Sequence, residues 1–251
     1  MQSSPTIFIK DAALAYQGQV LFDQLDLTLS ANKITCLLGP SGVGKTTLLR
    51  LIANLIAPSD KVAVRATITL DPALPLTEHV SYMAQTDLLL PWLNVLDNAL
   101  LGDALRKTIS SEKLDRAKKL LTQVGLQQVL QKFPDELSGG MRQRVALVRT
   151  LLEEKPIVLM DEPFSAVDAI TRFELQNLAA TILKNRTVLL ITHDLMESLR
   201  IADEIIVLTG MPATIKTKIT LHTPTPRNFS DPEVLTYQEE LFEALMKGHA
   251  S

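Results

Sequence analysis

The 251-residue chain has a single cysteine, Cys36, so it can form no internal disulfide and suits a reducing compartment. It also lacks an excess of positive charge: 25 Lys+Arg stand against 28 Asp+Glu, a formal net charge of -3. That argues against a nucleic-acid binder working through bulk basic charge, and no nucleic-acid partner is expected. No apolar run approaches the ~18–20 residues that span a bilayer. The opening MQSSPTIFIKDAAL has no basic stretch leading into a long apolar run, so no signal peptide is expected. Internal repeats and low-complexity tracts are absent as well. What remains is an ordinary globular composition, 46% hydrophobic and 21% charged, in a length that allows one large domain or two small ones.

Short alternating or apolar runs predict strands at 6–10 (TIFIK), 25–29 (LDLTL) and 34–38 (ITCLL), the last buried on both faces. A helix follows, with Leu48, Leu49, Ile52 and Leu55 at helical spacing. Residues 62–82 alternate (VAVRATITL, then HVSYM) and suit a hairpin or small sheet. From about 86 to 153 the strand signal disappears and the block reads as helical, with Pro91 and Pro134 as breakers. Buried strands return at 157–160, 187–191 and 204–208. A helix near 170–183 separates the first two, with Leu175, Leu178, Ala179 and Ile182 on one face. The alternation implies a parallel α/β sheet interrupted by an inserted helical subdomain. A Thr/Pro/Asn-rich stretch at 222–232 precedes an amphipathic helix through Val234, Leu235, Gln238, Leu241, Phe242 and Leu245.

Between the buried strand at 34–38 and the next helix stands Gly39-Pro40-Ser41-Gly42-Val43-Gly44-Lys45-Thr46, followed by Thr47. This is GxxxxGK[ST] in full. Its glycines let the backbone curl into a nest of N–H donors around phosphate oxygens, and the helix N-terminus adds partial positive charge. Lys45 is expected to reach the β- and γ-phosphates, and the Thr46 hydroxyl to ligate Mg²⁺. A second apolar strand, Ile157-Val158-Leu159-Met160, delivers Asp161 and Glu162 at its C-terminal end, where ligands sit in open α/β sheets. Asp161 suits the Mg²⁺ sphere; Glu162, pointing the other way, suits a base that polarises a water.

Leu137-Ser138-Gly139-Gly140-Met141, followed by Arg142-Gln143-Arg144, is a second anion cradle at a helix start. It resembles the signature sequence of the ABC (ATP-binding cassette) ATPases. The resemblance covers nearly the whole chain and implies a P-loop NTPase fold: a RecA-like parallel sheet core, an N-terminal antiparallel β subdomain and an inserted α-helical subdomain. It implies a head-to-tail homodimer in which Ser138, Gly139 and Gly140 cap the γ-phosphate of ATP held by the opposite subunit. Tyr16 stands where the family places an aromatic on the adenine. Gln85 matches the Q-loop, which senses Mg²⁺ and water and links to the membrane partner. Asp168, in Ser165-Ala166-Val167-Asp168, matches the D-loop that crosses the dimer interface. His193, in Thr192-His193-Asp194, matches the switch histidine at the γ-phosphate. Arg142 and Arg144 read as a solvated helix face, and Cys36 as core.

The apolar string Leu88-Leu89-Leu90-Pro91-Trp92-Leu93-Asn94-Val95-Leu96-Asp97-Asn98 is similar to the nitrate/sulfonate/taurine branch of bacterial ABC importers, which includes carriers of thiamine pyrimidine precursors. The implied protein is an ATPase subunit at the cytoplasmic face of the cell membrane. Its implied partners are two permease subunits and, indirectly, an extracytoplasmic solute-binding protein. In this scheme 1–87 and 156–221 form the nucleotide-binding core with the β subdomain. Residues 88–155 form the helical subdomain and 222–251 a short C-terminal helical extension. Three departures stand out: no glycine in SDKVAVRATITLD, Val167 where Leu is commoner, and Ser198 in place of Ala. The alternative is a soluble ABC-type ATPase with no permease. The missing tandem cassette, coiled-coil insertion and basic extension argue against it.

Overall fold

The computed structural model describes residues 4–56, 59 and 62–249. The chain opens with β1 (Thr6–Tyr16) and β2 (Gln19–Leu29), an antiparallel hairpin longer than the two short predicted strands. Gln17 and Gly18 join them, both at positive φ (49° and 83°), the backbone that a tight two-residue turn requires. Next come β3 (Ile34–Leu38) and α1 (Lys45–Ile52). The helix stops short of Leu55, which is exposed, because Asn54 turns to φ 56°.

β4 (Val62–Asp71), the short α2 (Leu76–His79) and β5 (Val80–Met83) follow. The expected hairpin does not form. β4 pairs antiparallel with β1, while β5 pairs in parallel with the next strand of the central sheet. Pro72 and Pro75 lie in the eight residues between them, and no two-residue turn sequence is present to close the pair. Asp60 and Lys61, within the glycine-free stretch, lie outside the described residues.

The helical block comprises α3 (Val95–Ala99), α4 (Leu101–Arg106), α5 (Ser111–Gln123) and α6 (Gly139–Leu152). Then β6 (Ile157–Asp161), α7 (Ala169–Ile182), β7 (Thr187–Ile191), α8 (Leu195–Ile201), β8 (Glu204–Thr209) and β9 (Thr214–Thr220) complete the sheet, and α9 (Pro232–His249) ends the chain. The six-stranded sheet runs β5-β6-β7-β3-β8-β9, parallel except for β9 against β8; the second sheet runs β2-β1-β4.

Alternate residues of the central strands face opposite cores. Leu37, Leu159, Leu189 and Ile206 pack toward α1 and the three-stranded sheet, joining Ile9, Phe22 and Leu48. Cys36, Leu38, Met160, Leu190 and Val207 pack toward the helices on the other side, joining Val145, Leu175 and Leu241. The strands are therefore apolar on both faces, as a covered parallel sheet requires. On α9 the buried stripe is narrower than predicted. Val234, Leu241 and Ala244 are buried, whereas Leu235 and Phe242 are exposed.

Candidate active site

The glycine loop sits where the parallel sheet ends, between β3 and α1, and its neighbours dictate its glycines. Gly39 has φ +153°, and a Cβ there would lie 2.4 Å from the Leu208 carbonyl oxygen. Gly44 has φ +103°, and its Cβ would lie 2.7 Å from the ring of the buried Phe22. The loop thus wraps between β8 and β2 with no room for side chains at either end. Lys45 opens α1 and is almost fully buried; its Nζ donates to the carbonyls of Gly39 (2.7 Å) and Pro40 (2.9 Å). Burial pulls its pKa below the ordinary value, and the charges of Glu162 and Asp161 pull it back up.

β6 carries Asp161 to the same sheet end. Asp161 is 1% exposed, and its Oδ2 has no hydrogen-bond partner among the described residues. Burial raises its pKa above the usual carboxylate range; the Thr46 hydroxyl, hydrogen-bonded to the carboxyl, opposes this. Glu162 leaves the strand at φ 50°, a left-handed turn that separates the two carboxylates, while its N–H still donates to Ile191 of β7 (2.9 Å). Its two oxygens meet two of the sequence-predicted residues: Oε2 accepts from Gln85 Nε2 at 3.4 Å, and Oε1 lies 3.1 Å from His193 Nδ1.

A cleft of about 280 Å³ brings together Ser41, Gly42, Gly44, Lys45, Thr46, Thr47, Gln85 and Glu162, with Leu21 and Ile191 as apolar wall. The remaining predicted residues lie outside this lining. Val43 points into the core, leaving only its backbone for a ligand. Tyr16 ends β1, paired with Gln19 and Val62 and 37% exposed. Ser138 caps α6, accepting from Met141 N (3.2 Å). A Cβ on Gly140 would meet the Ala166 carbonyl at 2.9 Å. The Asp168 carboxylate caps α7, accepting from Ile170 N and Thr171 N.

Some contacts escaped the linear reading. Gln143 ties α6 to the segment after Glu162: its Nε2 donates to Glu162 O (2.9 Å) and Ser165 Oγ (3.2 Å), and its Oε1 accepts from Ala166 N (2.8 Å). The arginines of α6 are not a solvated face. Arg142 pairs with Asp87 (3.0 Å), Arg144 donates to Val124 O (2.8 Å), and Arg149 donates to the carbonyls of Asp87 and Leu88. Glu197 of α8 is buried behind His193. The only sequence signal for Gln143 was its place beside the signature; for Glu197 there was none.

A glycine nest opening a helix, a buried lysine, and a strand-end Asp-Glu pair on a parallel sheet define a P-loop nucleotide-hydrolysing protein. Comparison with known proteins narrows the class. The ABC transporter family pattern matches residues 22–165. An uncharacterised ABC transporter ATP-binding protein of Haemophilus influenzae is 40% identical over 241 residues, covering 94% of this chain and 97% of that one. The aliphatic sulfonates import ATP-binding protein SsuB 1 of Rhodococcus jostii is 41% identical over 234 residues, covering 92% and 90%. Among solved structures, a dimeric ATP-binding cassette in a post-hydrolysis state bound to ADP and Pi superposes with a TM-score of 0.76. It is 26% identical, over 86% of this chain and 99% of that one. The chain belongs to the ABC transporter family and is an ATPase of that family.

Proposed function

We propose that this chain is the ATP-hydrolysing subunit of an importer for a small solute of the nitrate/sulfonate/taurine or pyrimidine-precursor class. The observation that carries the hydrolytic part is the Glu162 carboxylate, held between Gln85 and His193 at the mouth of the glycine cradle. The loop 39–47 receives the phosphates of ATP through the backbone N–H groups of its residues other than Pro40, and Lys45 turns from the loop carbonyls to the β- and γ-phosphates. Glu162 accepts a proton from a water as that water attacks the γ-phosphorus and the bond to the bridging oxygen breaks, leaving ADP and phosphate. Gln85 and His193 orient Glu162 and the water. Tyr16 supports the adenine.

The unpartnered Asp161 Oδ2 beside the Thr46 hydroxyl fits a hard divalent cation. Asp161 and Thr46, with Gln85 in the same cleft as Thr46, would hold Mg²⁺ there. The ion would supply positive charge against the phosphate oxygens.

Ser138, Gly139 and Gly140 lie outside the cleft lining of their own chain, which supports their use on the ATP of a second, head-to-tail copy, with Asp168 at the crossing. The dimeric state of the solved relative supports the same arrangement. In this scheme 1–87 and 156–221 bind nucleotide, 88–155 presents the signature, and 222–251 is a short C-terminal extension. No helix among the described residues is long and apolar enough to cross a membrane. The exposed Leu88 and Trp92 beside Gln85 then form the seat of a permease subunit at the cytoplasmic membrane face, with the solute-binding protein beyond it.

The test is Glu162→Gln. Phosphate release should fall at least about 100-fold while ATP binding persists and the dimer accumulates. Near-normal turnover by this variant would overturn the role of Glu162. Recovery of a multi-span permease with the tagged wild-type chain supports the importer; recovery of soluble partners alone supports a free ABC-type ATPase.

A further inference from the structure

Glu162 stands at φ 50°, a left-handed backbone that a non-glycine residue keeps only where its surroundings fix it. The turn matters to the proposed hydrolysis, because it separates the carboxylate from Asp161 and brings it to Gln85 and His193. Its backbone is fastened on both sides. The N–H donates to the Ile191 carbonyl of β7 (2.9 Å). The carbonyl accepts from Ser165 N (3.3 Å), Ser165 Oγ (3.1 Å) and Gln143 Nε2 (2.9 Å). The two Ser165 bonds close the turn on itself and move with it. Gln143, on α6, supplies the one hydrogen bond to this carbonyl from another element among the described residues.

Gln143 is 6% exposed, and both ends of its amide are used. Its Nε2 also donates to Ser165 Oγ (3.2 Å), and its Oε1 accepts from Ala166 N (2.8 Å). Flipping the amide would set its oxygen against the Glu162 carbonyl and its NH2 against the Ala166 N–H, so one orientation alone serves. A side chain chosen only to fill this space would be apolar, because that needs no desolvation. The start of α6 lies tight against the same segment: a Cβ on Gly140 would meet the Ala166 carbonyl at 2.9 Å. The helix also grips the chain just after Gln85, through Arg142 to the Asp87 carboxylate (3.0 Å) and Arg149 to the carbonyls of Asp87 (2.6 Å) and Leu88 (2.9 Å). One helix thus holds the backbone on both sides of the Gln85–Glu162 contact.

We infer that Gln143 is a positioning residue for ATP hydrolysis: by gripping the Glu162 carbonyl from α6, it holds the turn that presents the Glu162 carboxylate to Gln85 and His193. Gln143 is not part of the cleft lining, so it acts through Glu162. The inference rests on the proposed role of Glu162 as the base.

The test is steady-state phosphate release by the full-length protein carrying Gln143→Met, Glu162→Gln, or both. Gln143→Met keeps the length of the side chain and removes its three hydrogen bonds. It should lower kcat about tenfold with KM for ATP within about twofold of wild type, since the phosphate cradle is untouched. In the Glu162→Gln background the same change should lower the residual rate by less than about twofold, because no base remains to be positioned. A merely structural role predicts the same loss in both backgrounds. Two results would overturn the inference: wild-type kcat in Gln143→Met, or a further loss of about tenfold in the double variant. If Gln143→Met does not fold, Gln143→Asn takes its place in both backgrounds. Its amide is one methylene short of the Glu162 carbonyl, so kcat should fall at least about threefold with Glu162 present and stay within about twofold without it. No phosphate release by the wild-type protein would overturn the hydrolytic reading and this inference with it. Wild-type release that the Gln143 variant leaves unchanged would overturn this inference alone.

Discussion

Among the described residues Arg227 is the largest fully buried side chain, and replacing it by methionine isolates what it does. Its guanidinium ends α8 and anchors the C-terminal extension at once. Nη1 donates to the carbonyls of Leu199 (3.1 Å) and Ala202 (2.6 Å), which have no helical partner at the end of α8. Nε donates to Thr223 Oγ1 (2.7 Å) and Nη2 to Thr223 O (2.6 Å), while the Glu233 carboxylate of α9 lies 3.5 Å away from Nε. Methionine keeps most of the volume, so packing loss is small, but the two helix-end carbonyls and the Glu233 charge lose their partner. Breaking one side of a buried charged network costs about 3–5 kcal/mol. For a chain of this length that corresponds to a melting temperature lowered by about 10 °C. Hydrogen exchange should localise the loss to α9 and the end of α8. In Arg227→Met with Glu233→Gln, part of the loss should return, because the stranded charge is gone. A single variant within about 1 kcal/mol of wild type in chemical denaturation, or exchange unchanged in α9, would refute the reasoning.

The same corner predicts acid sensitivity. Burial works against the Glu233 charge, but hydrogen bonds from the Thr223 hydroxyl and from the N–H groups of Thr223 and His222, with Arg227 nearby, hold its pKa down to about 2. Its stabilisation is present above the ordinary value of 4.5 and should be lost as pH falls from there through about 2, visible as acid unfolding that Glu233→Gln flattens. Glu197 has the opposite sign. Its folded pKa, about 7, lies above the ordinary 4.5, so the folded chain holds a proton that the unfolded chain has released. Stability should therefore fall by up to about 3 kcal/mol as pH rises from 4.5 to 7. Glu197→Gln should be more stable than wild type at pH 8 and no more stable near pH 4, and parallel pH curves would sink this. Asn98, fully buried, accepts from Leu90 N and donates to the carbonyls of Leu90, Leu93 and Asn94, shaping the loop that carries Trp92. Asn98→Ala should cost about 3 kcal/mol and shift the emission of Trp92, the chain's single tryptophan. Unchanged emission would remove Asn98 from that role.

Much of this protein was legible in one dimension because its chemistry is local. A phosphate nest needs its glycines, lysine and threonine within eight consecutive residues, so 39–46 announced itself. A strand buried on both faces reads as an apolar run, so 34–38, 157–160 and 187–191 did too. The signature at 137–141 and the carboxylates at 161–162 are likewise contiguous, and with them came the family and the parallel sheet. Pairing over distance was not legible. Alternation in 62–71 and 80–83 marks strands but carries no address, and only the assembled sheets sent β4 to β1 and β5 to β6. Helical periodicity on α9 showed a stripe but not its width. The neighbouring surfaces left Leu235 and Phe242 outside. Charged side chains mislead most, because a sequence prices them as solvated. Arg144, Arg149 and Arg227 became structural only when carbonyls of distant segments came within reach, and Arg142 when the Asp87 carboxylate did. Glu197 gained its raised pKa only once α7, α8 and the 192–194 turn closed over it. Sequence by itself determined which backbone segments can hold phosphate and which strands belong inside. Tertiary structure alone decided who faces whom, because hydrogen-bond geometry and desolvation belong to groups brought together by the fold and to no single stretch of chain.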